Sequence, residues 1–164
     1  LGGGFHRYST DPFWLVPHFE KMLYDNALLS CVYLHAFQAT GNPFYGNVAR
    51  ETLDYVLREM TDSRGGFYST QDADSEGAEG KYFVWTPGEM ERAVGSKDAA
   101  VLQRYFGVTH EGNFEGRNIL SRPGDVSEVA LDVGLEPGEL MAIVERGKAA
   151  LLFNFNFPLQ LTKF

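Results

Sequence analysis

The sequence Gly-Gly-Phe occurs twice in the chain, each time at the start of a similar run, and this repeat constrains the fold more than any other sequence feature. We call each occurrence a head. The run GGFHRYSTD begins at Gly3, and the run GGFYSTQD begins at Gly65, 62 residues further on. A period of this length indicates that one structural unit is used more than once. A glycine-rich turn with an aromatic residue, followed by helical sequence, predicts helical hairpins arranged around a common axis.

Two helices are predicted after the first head. Residues 16–40 are apolar nearly all round, which is typical of a helix buried on most faces, in the inner layer of a two-layer assembly. Pro17 suits the first turn of this helix. The Gly-Asn-Pro sequence at 41–43 ends it. Residues 43–60 have one apolar and one charged face, so an outer helix completes an αα-hairpin.

Residues 61–86 break the helical period. The segments GGFYST and KYFVWT are rich in aromatic and β-forming residues, and they flank the acidic stretch QDADSEGAEG. This arrangement predicts a β-hairpin with a long polar loop. Thr86, Pro87 and Glu89 have the pattern of a helix N-terminus. Further elements are expected in this order: helical turns at 87–94 and 97–106, a loop with a short strand at 112–120, and helices at about 125–133 and 137–152.

Composition excludes several classes of protein. The net charge is −8 and the chain has no basic stripe, so nucleic acid is not expected as a partner. No apolar run approaches the ~20 residues of a membrane helix, so no membrane partner is predicted. The single cysteine, Cys31, is interpreted as a small buried residue. Because the chain begins at Leu1 rather than Met, we expect a fragment whose targeting segment is missing, and no localisation is predicted.

The densest group of polar residues lies in the apolar sequence at 14–27. Its members are His18, Glu20, Lys21, Tyr24, Asp25 and Asn26. Lys21 and Asp25 are four residues apart and could pair along a helix. Burying so many polar groups is costly unless each has a partner. They therefore form either a structural network at the helix entrance or the lining of a polar cavity.

Two further groups have the composition of a site. His6 and Arg7 follow the first head, where His6 either takes part in acid–base chemistry with a carboxylate or satisfies a loop carbonyl. Acidic residues alternate at 72, 74 and 76. They are compatible with a solvated turn, with a sugar-facing acid–base pair or with a cation site. The sequence has neither an HExxH motif nor a Cys/His cluster, and no metal site or cofactor is predicted.

Two long runs carry a family resemblance. LGGGFHRYSTDPFWLVPHFEKMLYDNALL and RGGFYSTQDADSEGAEGKYFVWTPGEM closely resemble the family of spermatogenesis-associated protein 20, whose bacterial members are called thioredoxin-domain-containing or YyaL-like proteins. The resemblance covers about residues 1–120 and weakens towards 150. It implies a larger parent protein, in which an N-terminal thioredoxin-like domain precedes an (α/α)6 toroid of the six-hairpin glycosidase class.

This resemblance implies a mainly α fold for the chain. Residues 1–152 would form a partial (α/α)6 toroid, with a β-hairpin insertion near 65–86. In the parent protein, this part would pack on further toroid hairpins and on the thioredoxin-like domain. Residues 153–164 depart from the family pattern, and we expect an atypical tail that is disordered or artefactual.

The run KMLYDNA at 21–27 is also similar to the K-x-L-Y-D-Q-A run of N-acylglucosamine 2-epimerases. Those enzymes use histidines in a central funnel to move a proton beside a sugar carbonyl. The similarity indicates shared ancestry and does not transfer the activity, because one fold supports many functions.

Two hypotheses of function follow. The first is a carbohydrate-active enzyme, epimerase-like or glycosidase-like, with a sugar ligand in a cavity where His6, His18 and the loop at Asp72 converge. The second is a non-catalytic interaction module of a redox or fertility-related protein. For the enzyme, the candidate catalytic residues are His6, His18, Glu20, Asp25, Asp72 and Asp74. The candidate substrate-binding residues are Arg7, Trp14, Lys21, Tyr24 and Trp85.

Overall fold

The chain is mainly α-helical, as predicted. A computed structural model describes residues 1–75, 77–154 and 161–162. Within these residues each strand is only two residues long, and helices form the bulk of the regular structure. The arrangement of the hairpins as a partial toroid stays a prediction. The helices are α1 (Leu23–Thr40), α2 (Pro43–Glu59), α3 (Pro87–Val94), α4 (Ser96–Phe106), α5 (Val126–Val133) and α6 (Pro137–Asn154).

The described residues divide into two compact units. The first unit comprises Gly2–Lys81 together with a short strand at Leu161–Thr162, and it contains α1 and α2. The second unit begins at Tyr82 and contains α3 to α6. The single partial toroid over residues 1–152 stays a prediction.

Helices α1 and α2 form the predicted αα-hairpin, and local signals at the connection explain its ends. Gly41 adopts a left-handed conformation (φ 67°), and its N–H donates to Phe37 O at 2.8 Å. The Asn42 side chain then accepts from Phe44 N at 3.0 Å and caps the start of α2. The buried residues of α2 lie on one face, which confirms an amphipathic helix: Ala49, Thr52, Tyr55 and Val56.

The predicted start of the first helix is wrong. The helix begins at Leu23 instead of residue 16. Residues 16–20 run antiparallel to residues 7–10. Their backbone N–H and C=O groups bond across the two segments, so they do not form the bonds of a helix. Pro17 accordingly lies in a β-bridge with Ser9 and not in a first helical turn. The pairing bonds are Thr10 N to Val16 O (2.8 Å), His18 N to Tyr8 O (2.8 Å) and Arg7 N to Glu20 O (3.1 Å).

The expected burial of α1 on most faces is also wrong for this chain. Only Asn26 and Ser30 are buried in α1, whereas Leu28 is 67% and Val32 is 60% exposed. Cys31 is exposed rather than buried. A helix with the composition of α1 is suited to contacts on more than one side. Within the described part of the first unit, α2 covers only one side of α1.

Short antiparallel strands connect the two sequence blocks of the first unit. Strand β1 (Lys21–Met22) pairs with β2 (Thr70–Gln71), in the register Lys21 with Gln71. On its other side, β2 pairs with the strand at Leu161–Thr162. The paired residues Lys21 and Gln71 are 50 positions apart in the sequence, and their pairing brings the block at 14–27 beside the acidic block after residue 70.

A β-hairpin lies within the predicted region, but its strands differ from those expected. The acidic stretch itself forms the hairpin, from β3 (Asp74–Ser75) and β4 (Ala78–Glu79), with Gly77 at φ 77° in the turn. The two aromatic segments pair elsewhere. GGFYST ends at Thr70, the first residue of β2. KYFVWT supplies β5 (Val84–Trp85), which pairs with β6 (Asn118–Ile119).

The second unit follows the predicted helix pattern closely. Thr86 and Glu89 form a capping box at the start of α3, with Pro87 at its first position. Asp125 and Glu128 form another at the start of α5. Helix α6 approaches α4 so closely that a Cβ at Gly147 would overlap the Leu102 side chain. The core of this unit contains Met90, Leu102, Val129, Leu140 and Leu151.

The predicted tail at 153–164 falls mostly outside the described residues. Helix α6 continues to Asn154. The next described residues are Leu161 and Thr162, whose backbone pairs with β2 as strand β7.

Candidate functional site

The two glycine–phenylalanine heads share a backbone conformation but differ in their surroundings. Gly3, Gly4, Gly65 and Gly66 all have φ between 73° and 90°, a region that favours glycine. A Cβ at Gly4 would overlap the Tyr55 ring, whereas a Cβ at Gly66 would meet nothing within 4 Å. The first head is therefore packed against α2, and the second is an open turn.

Lys21 is held in a buried polar cluster on the first head. Its Nζ donates to Gly3 O at 2.9 Å and lies 4.4 Å from the centroid of the Tyr55 ring. The Tyr55 hydroxyl in turn donates to Gln71 Oε1 at 2.5 Å. Burial lowers the pKa of Lys21 to about 7, with Arg58 acting in the same direction and Glu59 opposing it. Because Lys21 is only 6% exposed, its amine faces the protein interior rather than a ligand.

His6 is likewise engaged inside the first unit. Its Nδ1 lies 3.1 Å from Phe19 O, and its ring packs edge-on against the Phe19 ring at 5.9 Å. Burial, reinforced by the charge of Lys21, lowers the pKa of His6 to about 3. The neutral ring at physiological pH must therefore donate from Nδ1 to the carbonyl. A histidine with this pKa is a poor general base near neutral pH.

His18, Glu20 and Arg7 come together at the partly exposed edge of the same unit. Glu20 Oε2 lies 3.3 Å from an Arg7 guanidinium nitrogen and 3.6 Å from His18 Nδ1. Tyr8 stacks on the His18 ring with centroids 4.8 Å apart, and the Tyr24 side chain interacts with Arg7. We call these five residues the Glu20 cluster.

Within the Glu20 cluster, His18 has spare hydrogen-bonding capacity. Its Nδ1 is buried and has no hydrogen-bond partner among the described residues, because 3.6 Å to Glu20 is too long for a hydrogen bond. The interactions of Arg7 with Tyr24 and Glu20 raise the pKa of Arg7 above its usual value. The cluster thus combines a fixed cation, a carboxylate and an imidazole.

Asp25 and Asn26 occupy the first turn of α1. The Asn26 side chain is completely buried and ties the helix to the first head: it accepts from Phe5 N at 2.6 Å and donates to Phe5 O at 3.2 Å. One carboxylate oxygen of Asp25 is buried without a hydrogen-bond partner in the described residues. The negative charge of Asp25 is favourable at a helix N-terminus. Lys21 precedes the helix, so the predicted Lys21–Asp25 pair along one helix is wrong.

The acidic hairpin begins beside the Glu20 cluster. Glu20 immediately precedes β1 and Asp72 immediately follows β2, so the antiparallel pairing places both at the same end of the two strands. At the base of the hairpin, a Cβ at Gly80 would overlap the Phe19 ring. Asp72 is half-buried and accepts from Asp74 N at 3.1 Å, and Asp74 is exposed.

The two tryptophans have opposite environments. Trp14 is 85% exposed, in the loop between the paired segments of the first unit. Trp85 is 7% exposed, in the hydrophobic core of the second unit. Trp14 can contact a ligand, whereas burial of the Trp85 ring leaves no face for a sugar.

Sequence reasoning missed three residues of these clusters. Tyr8, Tyr55 and Gln71 were not singled out, although Tyr8 stacks on His18, Tyr55 contacts Lys21, and Gln71 accepts from Tyr55. Tyr8 lies next to Arg7 after the first head, and this position was a usable signal. Tyr55 and Gln71 had no such signal, since the strand register brings Gln71 beside Lys21 and the packing of α2 brings Tyr55 there.

No group of three or more His, Cys, Asp or Glu side chains in residues 1–75, 77–154 and 161–162 is arranged to hold a metal ion. Among the helices of that part of the chain, none is long and apolar enough to cross a bilayer.

The chain is similar to three mammalian proteins named spermatogenesis-associated protein 20. The identity is 39% to the mouse protein and 37% to the human protein, in each case over 172 aligned residues and 90% of this chain. The rat protein is 36% identical over the same share. The chain spans 22% of the length of each of these relatives. No family model matches the chain.

Proposed function

Because this chain belongs to the family of spermatogenesis-associated protein 20, we propose that it is a carbohydrate-binding or carbohydrate-modifying part of such a protein. In this proposal the parent protein carries a six-hairpin glycosidase-like region and a thioredoxin-like domain. The ligand site is the Glu20 cluster in the first unit. Trp85 and Lys21 are left out of the site, since both side chains are buried.

One observation carries the proposal: the Glu20 carboxylate lies beside a His18 ring nitrogen that has no hydrogen-bond partner in the part of the chain that the structure describes. Glu20 Oε2 and His18 Nδ1 are 3.6 Å apart, and catalytic hydrogen bonds are often this long before a substrate binds. A carboxylate that pairs with the imidazolium form stabilises it as it takes up a proton. His18 therefore supplies the proton carrier, because His6 has a pKa lowered to about 3 and is a poor base near neutral pH.

Two types of sugar chemistry use this set of groups. In epimerase-like chemistry, His18 removes a proton from the carbon beside a sugar carbonyl, and Glu20 supports the protonated ring. In glycosidase-like chemistry, Glu20 and Asp72 act as the two carboxylates, at a separation that selects retention or inversion. The position of both carboxylates at one end of the β1–β2 pair supports the second type.

Neighbouring side chains suit recognition of a sugar. Arg7 supplies hydrogen-bond donors from a partly exposed guanidinium. Tyr24, 49% exposed, and Trp14, 85% exposed, offer rings to the C–H faces of a sugar.

A sugar panel tests the proposal. The melting temperature of the chain is measured with a series of monosaccharides and disaccharides. A ligand that binds only the folded state stabilises it by about 2.7 kcal/mol at a hundred times its Kd, which corresponds to a rise of several degrees. Glu20→Gln should abolish the rise, and Glu111→Gln, at an exposed position in the second unit, should leave it unchanged. A panel without any rise contradicts the proposal.

A non-catalytic interaction module is the second candidate function. The exposed apolar face of α1, with Leu28 and Val32, supports it, because large exposed apolar patches mark interaction sites. In this case the face packs on further hairpins of the parent protein or on its thioredoxin-like domain. The double variant Leu28→Lys, Val32→Lys should then abolish binding of a separately produced remainder of the parent protein. Unchanged binding excludes this face as the contact.

A further inference from the structure

Residues 9–17 form a closed loop that extends from the Glu20 cluster. Its two ends are joined by the Ser9–Pro17 bridge, and Thr10 N donates to Val16 O at 2.8 Å. The residues that flank it, Tyr8 and His18, belong to the Glu20 cluster: His18 N donates to Tyr8 O, and their rings stack. The loop is therefore continuous with the proposed ligand site.

The carboxylate of Asp11 organises the interior of this loop. Oδ1 accepts from Leu15 N at 2.9 Å and from Val16 N at 2.6 Å, and Oδ2 accepts from Phe13 N at 2.8 Å. The Ser9 hydroxyl lies 3.2 Å from Oδ1. These bonds hold the pKa of Asp11 below its usual range, and the bond from Val16 N–H has the largest effect. One side chain thus replaces the regular backbone pairing that the loop lacks.

The tip of the loop presents two aromatic side chains to solvent. Phe13 is 87% exposed and Trp14 is 85% exposed. Trp14 has φ 59°, in the left-handed region that costs a bulky residue on the order of 1–2 kcal/mol. Neither ring contributes to a core, and a strained backbone of this kind persists only where its surroundings determine it.

We propose that Phe13 and Trp14 form a sugar-contact surface at the rim of the Glu20 cluster, and that Asp11 is the positioning residue that holds this surface in place. The inference rests on the proposed function for the class of ligand. Aromatic rings contact the C–H faces of a sugar with little loss of conformational entropy when the backbone beneath them is already ordered. Phe13 and Asp11 thereby become parts of the site that the sequence did not indicate.

The first experiment needs no sugar. Backbone ¹⁵N relaxation of Phe13 and Trp14 is compared between the natural chain and Asp11→Ala. We expect an order parameter near 0.85 in the natural chain and below about 0.6 in the variant. Asp11→Asn should show intermediate order. Its Oδ1 still accepts from Leu15 N and Val16 N, but its NH₂ group replaces Oδ2 and cannot accept from Phe13 N. Asp54→Ala, at an exposed position on α2, is the control. Unchanged order in Asp11→Ala overturns the positioning role.

The second experiment measures the Kd for cellobiose, maltose and N,N′-diacetylchitobiose by calorimetry. For the disaccharide that binds, Phe13→Ala, Trp14→Ala and Asp11→Ala should each raise the Kd about tenfold, with Asp11→Asn between these and the natural chain. Phe67→Ala, which removes another exposed ring (57%) from the open second head, should leave it unchanged.

The outcomes separate the two proposals. If a disaccharide binds and these variants bind it equally well, the contact surface is wrong and the proposed function stands. If no disaccharide binds the natural chain, the sugar class fails together with the proposed function, and the relaxation data alone decide the role of Asp11.

Because Phe13 and Trp14 are exposed, their alanine variants should keep the melting temperature of the natural chain, and a large fall would identify both rings as structural.

Discussion

Lys21 Nζ lies 4.4 Å from the centre of the Tyr55 ring, and this contact ties strand β1 to helix α2. The same amine donates to Gly3 O, so the first glycine head belongs to the arrangement. The Tyr55 ring and the Gly3 carbonyl stabilise the charged form of this buried amine, whereas the loss of its hydrating water destabilises the charged form. The balance makes the stability of the chain depend on pH.

The variant Lys21→Met should remove a rise of stability with pH. The folded chain releases the Lys21 proton near pH 7, whereas the unfolded chain retains it up to about 10.5. Between these values the unfolded state binds more protons, so the free energy of unfolding rises with pH. The rise should amount to about 5 kcal/mol over the full window. Urea unfolding of both proteins between pH 7 and 9.5 measures it. Lys97→Met, at an exposed position, should keep the natural slope, and the same slope in Lys21→Met would refute the prediction.

His6 should dominate a loss of stability in acid. The folded chain takes up this proton only near pH 3, whereas the unfolded chain takes it up near 6.5. The free energy of unfolding therefore falls as the pH is lowered from 6.5 to 3. His6→Asn retains an N–H for Phe19 O and should lower this dependence by a few kcal/mol. Denaturant unfolding at pH 4 and pH 7 checks the difference. The exposed His110→Asn is the matched control, and an equal effect of both variants would contradict the assignment.

The two heads provide a matched pair of glycine substitutions. Gly4→Ala and Gly66→Ala both introduce a side chain at positive φ, which costs about 1 kcal/mol or more in each. Only at Gly4 does the new methyl group overlap the Tyr55 ring, which adds about 1–3 kcal/mol. Thermal unfolding of the two variants should show the larger loss for Gly4→Ala. Equal losses would mean that the first head is not packed against α2.

Tyr55→Phe should destabilise the chain by about 1–3 kcal/mol, because it leaves the buried Gln71 Oε1 without its donor. Tyr45→Phe removes a hydroxyl from a half-buried ring that packs on Tyr33 and Phe44. It should change the free energy of unfolding by less than about 0.5 kcal/mol. Chemical denaturation of both variants gives the comparison, and a neutral Tyr55→Phe would show that the hydroxyl bond does not form.

Part of the candidate site could be predicted from the sequence. His18, Glu20, Tyr24 and Arg7 form one cluster in the structure. The first three were candidates because polar residues stood out in an apolar segment, and Arg7 was a candidate because it follows the first head. Lys21 stood out in the apolar segment as well, and His6 stood out after the first head. Lys21 is nevertheless buried, and the half-buried His6 is engaged with Phe19 O. Residue type reveals where polar groups concentrate, but it cannot distinguish a polar side chain at the surface from one with an interior partner.

The sequence by itself determined the helix ends at Gly41, Asn42 and Thr86, since caps are made by side chains and backbone within a few residues of each other. Tertiary structure alone decided that residues 16–22 are extended, because their backbone bonds to residues 7–10 and 70–71, far along the chain. It also placed Gln71 beside Lys21. Such pairings depend on strand register, which is set by the packing of whole elements and not by local sequence.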